Sequence, residues 1–212
     1  SIKGVLEMKQ KSIFTYLAAY LVLLIPTPGR FVYGMTLMLE LVVLMFLGTL
    51  ISIAIDKLKL KDLKTVIILF SMLVIAVIYR QIFIMLQPEI VLTLGFTLYL
   101  VPISTFLISF LFKPHNFENK ELIVKSTWRS VKFALCGLIF FLIRDILGFG
   151  TFTFFGPKHQ IFEKVLFNEN SVGILSFLAT IPGALLLSSL ITYFHLTIKK
   201  KFTILDNVSK VK

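Results

Sequence analysis

Two sites in this chain place charge inside long apolar runs. Glu40 interrupts the stretch 31–55, and the adjacent pair Arg144-Asp145 falls near the end of another, 133–147. A charged side chain at mid-bilayer costs ~2.5–3.5 kcal/mol on insertion scales, so each is expected to face the protein interior or water. Glu40 reads either as an ion-pathway residue or as a buried hydrogen-bonding partner. Neighbouring positions on a helix point about 100° apart, so Arg144 and Asp145 are poorly placed to pair with each other. Asp145 is expected to cap or flank the segment that follows. Arg80 reads as an interfacial residue whose long side chain snorkels to the head groups.

Other chemistries are excluded. His115, His159 and His195 are scattered, with no metal-ligand spacing among them. Cys136 is the only cysteine, which rules out an internal disulfide or a multi-thiolate metal site within the chain. It reads as a small apolar packing residue. No helix start with a lysine follows Gly148 or Gly150, so a phosphate-cradling loop is absent. Catalytic triads and paired carboxylates do not occur at recognisable spacing, and no catalytic residue is assigned.

The elements that would position these groups follow from composition. Hydrophobic residues make up 57% of the 212, charged residues 16%, and mean hydropathy is +0.92. Those values exclude a disordered chain, a collagenous one and an ordinary soluble enzyme. The apolar residues fall in runs at 12–29, 31–55, 65–86 (crossing Arg80), 90–112, 133–147 and 170–198. Crossing the hydrocarbon takes about 20 apolar residues in a helix. The runs are continuous rather than alternating, which argues against strands. The expected fold is therefore all-α, with six transmembrane helices in one membrane domain spanning 1–212.

The net charge is +11. With six spans, one side carries Lys3, Lys9 and Lys11, then Lys57, Lys59, Lys61 and Lys64. The same side carries Lys113, Lys120, Lys125, Arg129 and Lys132, then Lys199, Lys200, Lys201, Lys210 and Lys212. The other side holds only Arg30, Arg80, Arg144, Lys158 and Lys164. By the positive-inside rule both termini, including a basic tail at 199–212, are cytoplasmic in a multi-pass protein of the inner membrane. The basic face is expected to meet anionic lipid rather than nucleic acid. No cleavable signal is apparent, so the first apolar segment is expected to remain. The sequon at Asn207 falls on the cytoplasmic side and is read as chance.

A polar loop around 113–129 separates three spans from three. That predicts an inverted repeat, with halves at about 12–88 and 89–198. Each half opens on a proline-containing segment. In the first, Pro26, Pro28 and Gly29 should stop a helix beginning near Ser12 after ~21 Å of rise, short of the ~30 Å core. In the second, Pro102 follows Ile90 by about three turns and is itself followed by Ser104 and Thr105. Interrupted helices mark binding sites in such folds, so Pro26, Gly29, Glu40, Pro102, Ser104 and Thr105 are candidate pathway residues. Beyond the fifth span, Phe152, Phe154 and Phe155 alternate with small residues, suggesting an interfacial anchor or a re-entrant segment.

Several motifs together resemble the integral membrane subunits of the Rnf and Nqr electron-transport complexes. Arg144-Asp145-Ile146-Leu147-Gly148-Phe149-Gly150-Thr151 is similar to the family's arginine, acidic residue, two aliphatics, glycine, variable residue, glycine and threonine. Pro182-Gly183-Ala184 resembles its proline–glycine–alanine motif in the last span. The stretch from Thr93 to Ile103 is similar to its fourth span, and Gly34-Met35-Thr36-Leu37 to its glycine-led second. The resemblance implies six spans in a three-plus-three inverted repeat, and partnership with other membrane subunits, including an oppositely oriented homologue. It implies a subunit of an ion-translocating electron-transport assembly, and the inferred cytoplasmic termini resemble the member whose N-terminus is inside. The family's broken helices each carry a cluster-binding cysteine. Here Ile25 precedes Pro26, and no cysteine occurs near Thr105, so no iron–sulfur cluster is expected on this chain. The alternative is the substrate-binding membrane component of a vitamin or small-molecule importer, although the Ala-xxx-Ala pattern expected on its first helix is missing around Ala18 and Ala19. A third reading is a structural membrane subunit without a ligand.

Overall fold

The computed structural model describes residues 21–58, 63–111, 119–157, 160–167, 175–193 and 197. The N-terminal lysines, Lys59, Lys61, Lys113, Lys158, the three histidines, the Asn207 sequon and the basic tail lie outside them. The chain leaves a helical path after Leu24, turns through Pro26 and Pro28, and enters α1 at Phe31 (Phe31–Lys57). Then come α2 (Lys64–Leu86), α3 (Pro88–Leu94), a 3-10 turn (Gly95–Tyr99) and α4 (Leu100–Leu111). Next is α5 (Asn119–Arg144), which runs into a π turn (Asp145–Phe149). A hairpin of β1 (Thr151–Phe155) and β2 (Ile161–Val165), a 3-10 turn (Ser176–Ala179) and α6 (Ile181–Tyr193) complete the described part.

Among the described residues, three helical segments are long and apolar enough to cross a membrane: Phe31–Lys57, Lys64–Leu86 and Pro88–Phe106, with mean hydropathies of 2.4, 2.3 and 1.6. α5 reaches the same length, but Lys120, Lys125, Arg129 and Lys132 occupy its first four turns. α1 is the central helix. It packs on α2, α4 and α5 and buries side chains along most of its length. α2 instead turns Phe70, Val74, Ile78 and Ile82 outward, a stripe at helical spacing that suits lipid rather than water.

Glycines set the closest approach. A Cβ at Gly34 would sit 2.2 Å from the Phe141 ring, and one at Gly137 would sit 2.6 Å from Met38. Farther along, Thr49 and Ser126 share a hydrogen bond of 2.8 Å. These three contacts fix α1 and α5 as antiparallel neighbours. Gly48 against Met72 and the Tyr79 hydroxyl on the Thr36 carbonyl do the same for α1 and α2. Consequently Lys57, Lys64, Lys120 and Lys125 gather at one end of the bundle, and Arg30, Arg144 and the hairpin at the other.

Two expectations need correction. The fold is mostly helical but not all-α, because 151–165 forms an antiparallel hairpin pairing Thr151 with Val165 through Phe155 with Ile161. The period-two alternation of Thr151, Phe152, Thr153 and Phe154 is a strand pattern, with β-branched residues on one face and aromatics on the other. Gly150, with φ of 68°, supplies the left-handed residue that leads into it. Rather than lying free at an interface, Phe155 packs against the core, with Phe83 at 6.4 Å. The second correction concerns Pro102. The fourth segment is interrupted seven residues earlier, at Gly95 (φ 49°) and the 3-10 turn. Pro102 occupies the first turn of α4, where a missing N–H is cheaply tolerated.

Gly34→Ala should destabilise the protein by ~1–3 kcal/mol, because the Phe141 ring must move. Thermal unfolding in detergent measures the loss. It should shrink in a Phe141→Ala background, where the two changes share one contact.

Candidate functional site

Pro28 has no N–H, so the Leu24 carbonyl four residues earlier lacks the donor a continuing helix would supply. Pro182 leaves the Leu178 carbonyl in the same position at the start of α6. Arg144 serves both. Its Nη1 donates to the Leu24 and Thr27 carbonyls at 3.0 Å each, and its Nε donates to the Leu178 carbonyl at 3.2 Å. Nη2 donates to the carbonyls of Ala179 at 3.0 Å and Thr180 at 3.5 Å. The guanidinium is fully buried, stacks near Phe140 at 5.8 Å, and spends its five N–H donors on five carbonyls. A Cβ on Gly29 would approach Arg144 to within 3.2 Å, so glycine there makes room for the guanidinium.

Asp145 performs the opposite service. α1 starts at Phe31 without a side-chain cap from Arg30. Asp145 Oδ2 accepts the Phe31 amide at 3.1 Å, the Thr153 amide at 2.8 Å and the Thr153 hydroxyl at 2.7 Å. Its Oδ1 accepts the Thr151 hydroxyl at 2.9 Å. The Thr153 oxygen in turn accepts the Val32 amide at 3.3 Å. A carboxylate at a helix N-terminus and a guanidinium over carbonyl ends both suit the backbone dipoles.

The remaining motif glycines are packing positions around this knot. A Cβ on Gly148 would lie 2.8 Å from the Ala179 amide nitrogen, and one on Gly183 only 2.0 Å from the Phe177 carbonyl oxygen. The Gly150 carbonyl accepts the amides of Leu166 and Phe167 and closes the hairpin. Pro26 and Pro182 are exposed on their turns. Gly29, Arg144, Asp145, Gly148, Thr151 and Gly183 thus converge on one polar knot at the hairpin end. Sequence reasoning missed Thr27 and Thr153 as members; for Thr153 the signal was the alternating run.

Glu40 lies apart, in the middle of α1, fully buried. Both its carboxyl oxygens lack a hydrogen-bond partner among the described residues. Tyr79 is the titratable neighbour within electrostatic reach of Glu40, and its hydroxyl is committed to the Thr36 carbonyl at 2.9 Å. Ser104 and Thr105 are buried on α4, which packs against α1, and the Thr105 hydroxyl donates to the Val101 carbonyl at 2.8 Å. Arg80 places its guanidinium over the Tyr99 ring at 5.9 Å. Cys136, expected to pack inside, faces outward on α5. Among the described residues no cluster of three or more histidine, cysteine, aspartate or glutamate side chains is placed to hold a metal.

The knot is chemically spent and Glu40 is not. A buried carboxyl without a partner forgoes hydrogen bonds that water would supply, at a cost of several kcal/mol if it carries charge. Comparison with protein-family models, curated proteins and solved structures finds no match, so the likeness to Rnf and Nqr subunits rests on the motifs alone.

The two sites should respond oppositely to the same substitution. Arg144→Met strands five carbonyls and should cost ~3–5 kcal/mol, whereas Glu40→Met removes an unpaired polar group and should stabilise by ~1–3 kcal/mol. Melting curves of the two variants in one detergent decide both signs.

Proposed function

We propose that this chain is a non-catalytic membrane subunit of an ion-translocating assembly of the Rnf and Nqr kind, with Glu40 as its ion-handling group. The observation that carries the reading is Glu40 itself. A carboxyl retained inside an apolar helix, at a cost to stability and with neither oxygen bonded among the described residues, is explained by a task that needs it. The three long apolar helices support membrane embedding. Gathering of Lys57, Lys64, Lys120 and Lys125 at one end supports a sided insertion, with that end cytoplasmic.

In this reading six helices cross the inner membrane as two inverted triplets, and both termini are cytoplasmic. An oppositely oriented homologous subunit is a partner, and anionic lipid covers the basic face. The chain has no cysteine where the related subunits place cluster ligands, so electrons would pass through other subunits. Its contribution would be scaffold and ion path, with the proton or cation at Glu40 supplying a counter-charge that the described residues do not.

The test uses the intact assembly, purified through this chain from its native membrane and reconstituted into vesicles. Membrane partners and flavin should co-purify, and Glu40→Gln should keep the partners while lowering ion uptake at least about tenfold. Uptake unchanged by Glu40→Gln contradicts the role of Glu40, and a tightly bound vitamin in place of flavin-bearing partners points to the importer reading. Sidedness has its own test in a Cys136→Ser background. An impermeant maleimide applied to intact, outer-membrane-permeabilised cells should label Lys158→Cys and leave Lys210→Cys unlabelled; the reverse pattern inverts the topology.

A further inference from the structure

The Tyr79 hydroxyl reaches across from α2 and donates to the Thr36 carbonyl of α1 at 2.9 Å. In an uninterrupted α-helix that carbonyl also accepts the amide of the residue one turn on, which is Glu40. The tyrosine bond is therefore a second bond on an acceptor already supplied. The hydroxyl can leave it without stranding a buried carbonyl. A helical side chain leans toward the helix N-terminus and covers the turn before its own Cα. The Glu40 carboxyl and the Tyr79 hydroxyl thus share the turn between Thr36 and Glu40.

The two groups differ in freedom. The Tyr79 ring is buried and stacks on Phe83 at 4.6 Å, and Phe83 in turn meets Phe155 of the hairpin. That clamp fixes the hydroxyl oxygen and leaves its proton free to turn. Glu40 rotates about each of its side-chain bonds, and among the described residues no hydrogen bond holds its oxygens. Other groups on the surrounding helices are worse placed. The Thr36 hydroxyl turns back to the Val32 carbonyl at 3.0 Å, and the Thr105 hydroxyl of α4 to the Val101 carbonyl at 2.8 Å. Tyr33 lies about two turns nearer the hairpin on α1. Arg80 of α2 covers Tyr99, Lys132 of α5 covers Trp128, and Arg144 is spent in the knot.

We propose that Tyr79 is the positioning residue for Glu40. Its hydroxyl serves the Thr36 carbonyl while Glu40 is neutralised by its ion, and donates to the carboxylate once the ion has left. An ionised carboxylate is a stronger acceptor than a carbonyl, whereas a neutralised one is not, so the charge on Glu40 decides where the hydroxyl points. The swap stabilises the empty site, which otherwise holds a bare charge among apolar side chains, and so eases release of the ion. The inference rests on Glu40 handling the ion, as in the reading above.

Two measurements test it. In infrared difference spectra of the full chain in lipid, stepped from acidic to alkaline buffer, a tyrosine C–O band should shift as Glu40 ionises. An isotope label on the phenolic carbon identifies the band. The shift should vanish in Tyr79→Phe and in Glu40→Gln and persist in Tyr33→Phe. In vesicles holding the intact assembly, assayed with radioactive sodium and an internal pH dye, Tyr79→Phe should lower the Glu40-dependent uptake about tenfold. Added to Glu40→Gln it should cause no further loss. Tyr79→Phe keeps the ring stack and the helix bond at Thr36, so the partners should co-purify unchanged. A tyrosine shift that is absent, or that survives either Tyr79→Phe or Glu40→Gln, overturns the role of Tyr79. Uptake lowered by Glu40→Gln and untouched by Tyr79→Phe overturns it too, and leaves Glu40 as the ion-handling group. Uptake untouched by Glu40→Gln overturns the reading of Glu40, and the inference with it.

Discussion

Proline donates no backbone hydrogen bond, and in an apolar setting the carbonyl it abandons has no water to turn to. Two such carbonyls, at Leu24 and Leu178, lie far apart in sequence and face one guanidinium. Arg144 reaches them from the end of α5 and binds three more carbonyls beside them. The interruption before α1 and the interruption before α6 are therefore held by a single side chain. Gly29 makes room for that side chain, and Gly148 and Gly183 let the backbone at Phe177 to Ala179, whose carbonyls it binds, pack close by. Asp145, one residue on, caps α1 and orients β1, so the direction of the central helix and the seat of the hairpin depend on the same dipeptide.

This arrangement separates two kinds of buried charge. At Arg144 and Asp145 the hydrogen-bonding capacity is used on backbone and threonine groups, so neither has donors or acceptors to offer a passenger. Glu40 is buried as deeply, and among the described residues its two oxygens have no hydrogen-bond partner. Stability accounts for the first pair and argues against the second, and for that reason Glu40 is the residue proposed to handle an ion, while the knot is read as architecture. The family-like motifs around Arg144 and Pro182 then mark a way of folding a broken-helix bundle. They do not by themselves mark a reaction.

Much of the scaffold was legible as hydropathy. The runs beginning at Phe31 and Thr65 correspond to α1 and α2 within a few residues, because continuous apolar sequence of that length has one backbone solution in lipid. The Pro26–Pro28 turn was legible for the same reason Arg144 is needed there. Pro102 misled because a proline in the first turn of a helix costs little, while Gly95 could adopt positive φ without any proline to announce it. The hairpin was obscured by its context: four alternating residues beside long apolar runs read as an anchor, although threonine–phenylalanine alternation is a strand pattern. The convergence of Thr27, Arg144, Thr153 and Gly183 could not be read at all, since it joins segments more than a hundred positions apart. Glu40 stood out as a charge in an apolar run, but the lack of a partner is a property of the packed helices around it.

The most direct test of the central interaction is a solid-state NMR distance in lipid, between the Arg144 guanidinium nitrogens and the carbonyl carbons of Thr27 and Ala179. Hydrogen bonds of the observed length place each nitrogen about 4 Å from its carbonyl carbon. Both distances near that value establish that one side chain bridges the two interrupted segments. Either distance beyond about 6 Å, outside the reach of any hydrogen bond, contradicts it.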